Sequence, residues 1–279
     1  MKTVLLVYGA FAALGVVSAS AADMAVKAPP TVAPIYNWTG FYVGVSGGGI
    51  WSDPYLAVNV SGPAGPNSTP AQALVAQQLG NRNNSSWLAG GQAGYNWQMN
   101  DFVLGVEADI SGTDINNAQS VTSTTVIGRG PKDITTTGSQ RLDYFGTVRA
   151  RFGYAGASGL LVYGTGGFAY GGERASFGVA SASGFGAGLV PFNLVASDSS
   201  VRTGWTAGVG AEMALMAFGP NWSLRGEYLY YDLGHDLLTV SHPLVPPPGL
   251  TATMDSTFRG GLIRVGLDYR FGGPLVARY

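Results

Sequence analysis

Eleven charged side chains are the residues best placed to do chemistry: Glu107, Asp109, Asp143, Arg149, Arg151, Glu212, Arg225, Glu227, Arg264, Asp268 and Arg270. Each stands in a segment where polar and apolar residues alternate, and the apolar partners carry no charge. Carboxylates such as Glu107 and Asp109 could form an acid–base pair or a structural ion-pair set. The six acids and five arginines nearly cancel, and the basic members are all Arg, whose planar fork suits confined carboxylate pairing. The pattern therefore favours mutual neutralisation over catalysis. Other chemistry is thin. His235 and His242 are the two histidines. Asp232 and Asp236 flank His235, but two histidines without ordered spacing read as solvated loop residues rather than metal ligands. Ser241 precedes His242, yet adjacent residues on a strand point opposite ways, which weighs against a Ser–His pair acting on lipid. A loose G-x-G-x-x-A at Gly164–Ala169 has no helix after it and fails the dinucleotide context. No catalytic residue, cofactor or metal ligand is expected.

Composition narrows what must hold these charges. The 279 residues include 43 Gly, and only 11 % are charged, against roughly 25 % in an ordinary soluble domain. Apolar content is an ordinary 46 %, so disorder is disfavoured. The glycines keep no three-residue period, which excludes collagen. Fifteen Lys+Arg against sixteen Asp+Glu, with no basic cluster, argues against nucleic acid as a partner. The absence of cysteine excludes disulfides, thiolate metal sites and cysteine nucleophiles.

The chain divides readily. Met1 and Lys2, the apolar run Val4–Val17 and the small residues Ala19-Ser20-Ala21 read as a signal peptide over 1–21. Residues 22–36, with Pro29, Pro30 and Pro34, read as a periplasmic linker. From 37 to 271 the hydrophobic period is two. Phe41–Trp51, Trp87–Met99, Phe102–Ser111, Leu142–Phe152, Leu160–Tyr170, Trp205–Met213, Trp222–Tyr230 and Ile263–Phe271 make eight candidate strands. Leu160–Tyr170 is apolar on both faces and takes no orientation from its pattern. Several candidates match the roughly 9–11 residues a membrane-crossing strand needs, well above the usual 5–6. Connections alternate: short at Asn100-Asp101, Ala155–Gly159 and Met216–Asn221, long at Ser52–Ser86, Gly112–Gln140, Gly172–Ser200 and Leu233–Phe258. Within the first long loop, propensity alone suggests a short helix at Ala71–Leu79.

Alternation cannot say which face meets water. Strand length, the all-Arg basic set and the aromatic placement choose a membrane barrel, apolar face to lipid and charges inside. Tyr95, Trp97, Phe102, Trp222 and Tyr269 fall near the short turns, and Trp205 and Tyr230 near the long loops, as two interfacial girdles would. Eight strands enclose a lumen that side chains alone can fill. The expectation is an all-β, eight-stranded, antiparallel up-and-down transmembrane β-barrel, with short periplasmic turns, long extracellular loops and a packed polar core.

A set of short runs carries a family resemblance. These are Asn37-Trp38-Thr39-Gly40-Phe41-Tyr42-Val43-Gly44, Gly91-Gln92-Ala93-Gly94-Tyr95-Asn96-Trp97, Gly105-Val106-Glu107-Ala108-Asp109, Asp143-Tyr144-Phe145-Gly146-Thr147-Val148-Arg149 and Arg264-Val265-Gly266-Leu267-Asp268-Tyr269-Arg270-Phe271. With Tyr163-Gly164-Thr165-Gly166-Gly167 and Trp222-Ser223 leading to Glu227-Tyr228-Leu229-Tyr230, the chain resembles the small outer-membrane β-barrel proteins of alphaproteobacteria, the outer-membrane immunogenic protein type. The resemblance implies residence in a Gram-negative outer membrane, a surface or envelope role often described loosely as porin, and no catalytic residues. It further implies that Arg264, Gly266, Tyr269 and Phe271 form the terminal signal read by the barrel-assembly machinery. The chain continues through a C-terminal extension, 272–279, where the family normally stops at that Phe. Expected partners are outer-membrane lipid and lipopolysaccharide, with the secretion translocon and the assembly machinery during biogenesis. The rival readings are a narrow diffusion channel, a lipid-modifying enzyme and a secreted soluble barrel or sandwich.

Overall fold

The computed structural model describes residues 36–53, 55–61, 77–78, 84–127, 130–156, 159–185, 190–242 and 250–272. Ten strands follow in chain order: β1 (Gly40–Ser52), β2 (Tyr55–Ser61), β3 (Gln77–Gln78), β4 (Asn84–Met99), β5 (Phe102–Ile127), β6 (Gly130–Ala155), β7 (Leu160–Phe185), β8 (Val190–Ala214), β9 (Trp222–His242) and β10 (Leu250–Arg270). Eight of them, β1 and β4 to β10, pair each with the next, all antiparallel. β10 returns to β1 from Tyr42↔Arg270 to Ser52↔Gly260, which closes the ring. Closure removes the strand edges that an open sheet would leave exposed. The expected signal peptide, nearly all of the 22–36 linker and nearly all of the C-terminal extension lie outside the described residues.

The wall has an unusual surface. Val106, Val148, Val209 and Val265 point outward and are about half exposed, as are Leu104, Phe152 and Phe168. Outward positions from Tyr154 to Tyr144 on β6, or from Leu160 to Tyr170 on β7, carry no charge. Ten residues at about 3.3 Å each, tilted by about 40°, make an apolar band about 25 Å tall, the hydrocarbon thickness an outer-membrane barrel must match. Leu160–Tyr170 takes its orientation from the ring: Leu161 and Tyr163 turn inward, Leu160, Val162 and Phe168 outward. Among the described residues no helix is long and apolar enough to cross a membrane.

The turns at one end are as short as expected. Asn100 takes a left-handed φ of 55° in the first, and a 3-10 turn at Met216–Phe218 fills the last. The other end corrects the sequence reading. Three of the four expected loops are largely strand: β5 and β6 continue to Ile127 and Gly130, β7 and β8 to Phe185 and Val190, β9 and β10 to His242 and Leu250. Ala175, Phe177 and Val179 on β7 and Ala252, Met254 and Phe258 on β10 do alternate and turn inward, whereas the β5–β6 hairpin lacks an apolar period over residues 116–125 and 135–140 and pairs through hydroxyls instead. Thr122 faces Thr135 at 3.0 Å and Ser139 faces Ser176 at 2.8 Å, and such pairs suit a ladder whose register the barrel below already fixes. The suggested helix at Ala71–Leu79 is also corrected: Gln77–Gln78 is strand, paired to β2, and the remainder lies outside the described residues. Above Trp205↔Asp232 the β8–β9 ladder stops although both strands go on.

Candidate functional site, the barrel interior

Alternation along each strand puts one residue in two into the lumen, and β5, β6, β8, β9 and β10 send their charges there. Arg149 of β6 donates to Glu107 and Asp109 of β5, its Nη2 lying 3.2 Å from Asp109 Oδ2 and 3.4 Å from Glu227 Oε2 across the lumen. Arg225 of β9 donates to Asp268 at 2.5 and 2.9 Å and to Glu107 on the far wall. Arg264 reaches Glu227 at 2.8 Å and Asp109 at 3.0 Å. Arg151 and Arg270 each sit 3.3 Å from Glu212, which also accepts the Ser223 hydroxyl at 2.6 Å. All ten of these groups are nearly inaccessible to solvent.

Neutral side chains knit the set together. Tyr42 donates to Glu107 at 2.6 Å and accepts from Arg151 at 2.9 Å. Tyr163 donates to Glu227 at 2.7 Å, and the Arg151 guanidinium stacks 4.2 Å from its ring. Gln92 links Ser46 to Asp268, and Thr147 donates to Asp109 at 2.5 Å while accepting from Arg149 Nε. These residues were not among the charged candidates. For Tyr42, Ser46, Gln92 and Thr147 their place on the polar side of the alternation is the signal that could have found them, whereas Tyr163 stands in a segment apolar on both faces and gave none. Such bulk fits only beside glycine: a Cβ on Gly210 would stand 2.5 Å from the Tyr163 ring, and one on Gly94 would strike the Tyr42 hydroxyl.

Asp143 does not join them. The β6 register shifts between Leu142 and Tyr144, and a bulge reverses the parity of the strand. Phe145 and Leu142 both point inward, so Asp143 is left at the outer rim with Arg141 at 2.9 Å and Arg174 at 3.0 Å. An uninterrupted period of two would have carried it inside with Arg149.

Above and below the ionic layer the interior side chains are of other kinds. On the long-hairpin side lies a cluster of Ile50, Leu88, Leu142, Phe145, Tyr231 and Phe258 among others. Higher still is a second polar group: Arg202 reaches Glu173 at 2.5 Å, Asp236 at 3.2 Å and Ser256 at 3.1 Å. Burial lifts the Glu173 carboxyl above its ordinary range, the Arg202 charge opposing. At the short-turn mouth Trp38 is completely buried and Tyr36 nearly so, packed on Val103, Ala155 and Leu161. The Arg270 guanidinium lies 4.5 Å from the Trp38 ring, and the Trp38 amide donates to Gln98 at 2.7 Å. The start of the barrel sequence thus folds into its own mouth.

The aromatic candidates lie on the outer face at two levels. Tyr95 and Trp97 (4.6 Å between rings), Phe102, and Trp222 with Tyr269 (5.1 Å) stand at the short-turn end. Trp205 and Tyr230, 5.4 Å apart, stand at the other. Of the terminal four, Arg264 points into the ionic layer, Gly266 lies beside Gln92, Tyr269 faces outward, and the Phe271 amide donates to Phe41 of β1 at 2.8 Å. His235 sits 2.8 Å from Asp255 and is mostly exposed, while Asp232 accepts the Gly234 amide and Asp236 turns to Arg202. Among the described residues no cluster of three metal-binding side chains exists, and the side chains of Ser241 and His242 lie outside them.

A family profile described as outer membrane protein beta-barrel domain matches residues 9–271. The 31 kDa outer-membrane immunogenic protein of Brucella melitensis is 34 % identical over 280 residues, covering 97 % of this chain and all of that one. The 25 kDa outer-membrane immunogenic protein of Brucella abortus is 26 % identical over 246 residues, covering 88 % and 85 %. Among solved structures, the outer membrane protein OprG of Pseudomonas aeruginosa aligns over 84 % of this chain and 97 % of its own, at 14 % identity and a TM-score of 0.41.

Proposed function

The chain belongs to the outer membrane protein β-barrel family, and from that footing we propose that it is a non-enzymatic structural component of the outer-membrane surface, a barrel closed to solutes that carries extended hairpins on the cell exterior. One observation carries the reading. The interior side chains bond across the full width of the ring, Arg225 of β9 to Glu107 of β5, Arg264 of β10 to Asp109 of β5, Arg149 of β6 to Glu227 of β9. Charges that lined water would instead be solvated one by one. The apolar cluster above and the Tyr36–Trp38 plug below support the same conclusion.

In this role the Arg–carboxylate layer serves as a rigid strut. A barrel of eight strands has little apolar volume to gain inside, so specific pairing fixes its cross-section. The test is conductance across a planar bilayer with purified, refolded protein. The reading expects a silent membrane with rare flickers at most; steady, reproducible openings would assign the protein to the narrow channels instead.

A further inference from the structure

The outer wall holds a feature that the interior pairing does not explain. Going up the lipid-facing side of β5, β6 and β7, no charge appears until one level, and there four appear together: Asp114, Arg141, Asp143 and Arg174. Its two arginines stand three residues beyond Tyr144 and four beyond Tyr170, about 10–13 Å along the strand, and Asp143 follows Tyr144 directly. Hydrocarbon ends at the aromatic row, so the charges stand where lipid headgroups lie. The two tyrosines form a shelf beneath. Tyr144 rests on Gly172 of the next strand and Tyr170 on Gly146, each ring where a Cβ would collide with it.

The pairing at this level is unfavourable by itself. Arg141 and Arg174 are direct cross-strand partners, and like charges in that position repel. Asp143 relieves the repulsion from between them, and only the bulge at Leu142/Tyr144 brings it out. Asp143 takes the Nε edge of both guanidiniums, at 2.9 and 3.0 Å, and Asp114 takes Arg141 Nη2 at 3.1 Å. Both terminal nitrogens of Arg174 are left without a protein partner among the described residues, on a side chain that is two-thirds exposed. Arg141 is half exposed beside it. Asp143 holds both guanidiniums by Nε and Asp114 takes one terminal nitrogen of Arg141, which leaves the terminal edge of Arg174, beside half-exposed Arg141, to meet the oxygens of a phosphate group.

We infer that the Arg141–Asp143–Arg174 cluster is a docking site for the phosphate groups of the glycolipid of the outer leaflet. The tyrosine shelf takes the adjoining acyl chains, and Asp143 positions the two arginines without touching the ligand. The site is independent of the lumen and stands whether or not the barrel conducts.

The experiment measures binding of the refolded, detergent-solubilised full chain to bis-phosphorylated lipid A and to the same lipid with its phosphates removed. The expected result is a preference of about 25-fold for the phosphorylated form, from about a factor of five for each of the two arginines at an anionic surface. Arg141→Gln with Arg174→Gln should erase the preference. Arg259→Gln, which removes an exposed arginine of β10 on another part of the wall, should keep it. Equal binding of the two lipids by the unaltered protein overturns the inference, and needs no variant to fold. So does a double variant that, with its heat-modifiable gel mobility intact, retains the preference. Competition by inorganic phosphate as effective as that by the lipid would mark a free-anion site and remove the lipid assignment.

Discussion

Arginine and carboxylate meet in the ionic layer of the lumen and again on the outer rim, and these two meetings differ in everything except chemistry. In the lumen Arg149, Arg225 and Arg264 share Glu107, Asp109, Glu227 and Asp268 in a layer closed to solvent. On the rim Arg141 and Arg174 share Asp143 with solvent on one side. In the lumen each group lost leaves a bare charge in a medium that cannot solvate it. At the rim water takes over at once. Burial, rather than the identity of the pair, decides whether an ion pair holds the fold or only orders a surface.

That contrast can be broken at three places. The largest effect is expected at the hub of the lumen. Glu107→Gln leaves Arg149 and Arg225 short of a counter-charge and should cost about 3–5 kcal/mol, read as a lower temperature at which the band of the folded barrel shifts on an unboiled gel. A cost no greater than that of a rim substitution would erase the distinction between the two sites.

An intermediate case sharpens the comparison. Glu173 lies above the apolar band, buried like the lumen set but with Arg202 as its one close cation among the described residues. Its folded-state pKa is raised above the unfolded value, so the fold binds this proton more tightly than the unfolded chain does. The sign follows: its contribution is complete below the unfolded value and fades as pH rises through the folded one. The thermal midpoint should therefore fall as pH is raised from about 4 towards neutrality, and Glu173→Gln should flatten that slope. A steeper slope in the variant would reverse the assignment.

The smallest effect belongs to the rim. Asp143→Asn should change stability by about 0–1 kcal/mol, with chemical denaturation midpoints nearly superimposed on those of the unaltered protein. A loss as large as that at Glu107 would mean that Asp143 braces the wall rather than the two arginines.

Much of this was legible in the linear chain. Alternation in Phe102–Ser111 or Ile263–Phe271 marked strands long enough to cross a membrane, and it assigned Glu107, Asp109, Arg264, Asp268 and Arg270 to one face. Asp143 escaped because a bulge leaves no mark on composition. The same residues fit an unbroken strand until the ladder is seen to slip at Leu142/Tyr144. The β5–β6 hairpin above the membrane escaped for the opposite reason: Thr122 and Thr135 pair through hydroxyls, as Ser139 does with Ser176, in a stretch with no apolar period. Trp38 stands in the sequence only as the second residue of the run Asn37–Gly44, and nothing local says that it packs inside the mouth.

By itself the sequence determined which side chains share a face, because the backbone of a strand turns each successive residue to the opposite side. It could not determine which of those side chains touch. Arg225 and Glu107 are 118 positions apart, and Tyr42 and Arg151 are 109 apart. They meet only because eight strands close into a ring narrow enough for opposite walls to reach one another. The tertiary structure decided the partners, the inside and the rim, since curvature and register belong to the whole sheet and to no segment of it.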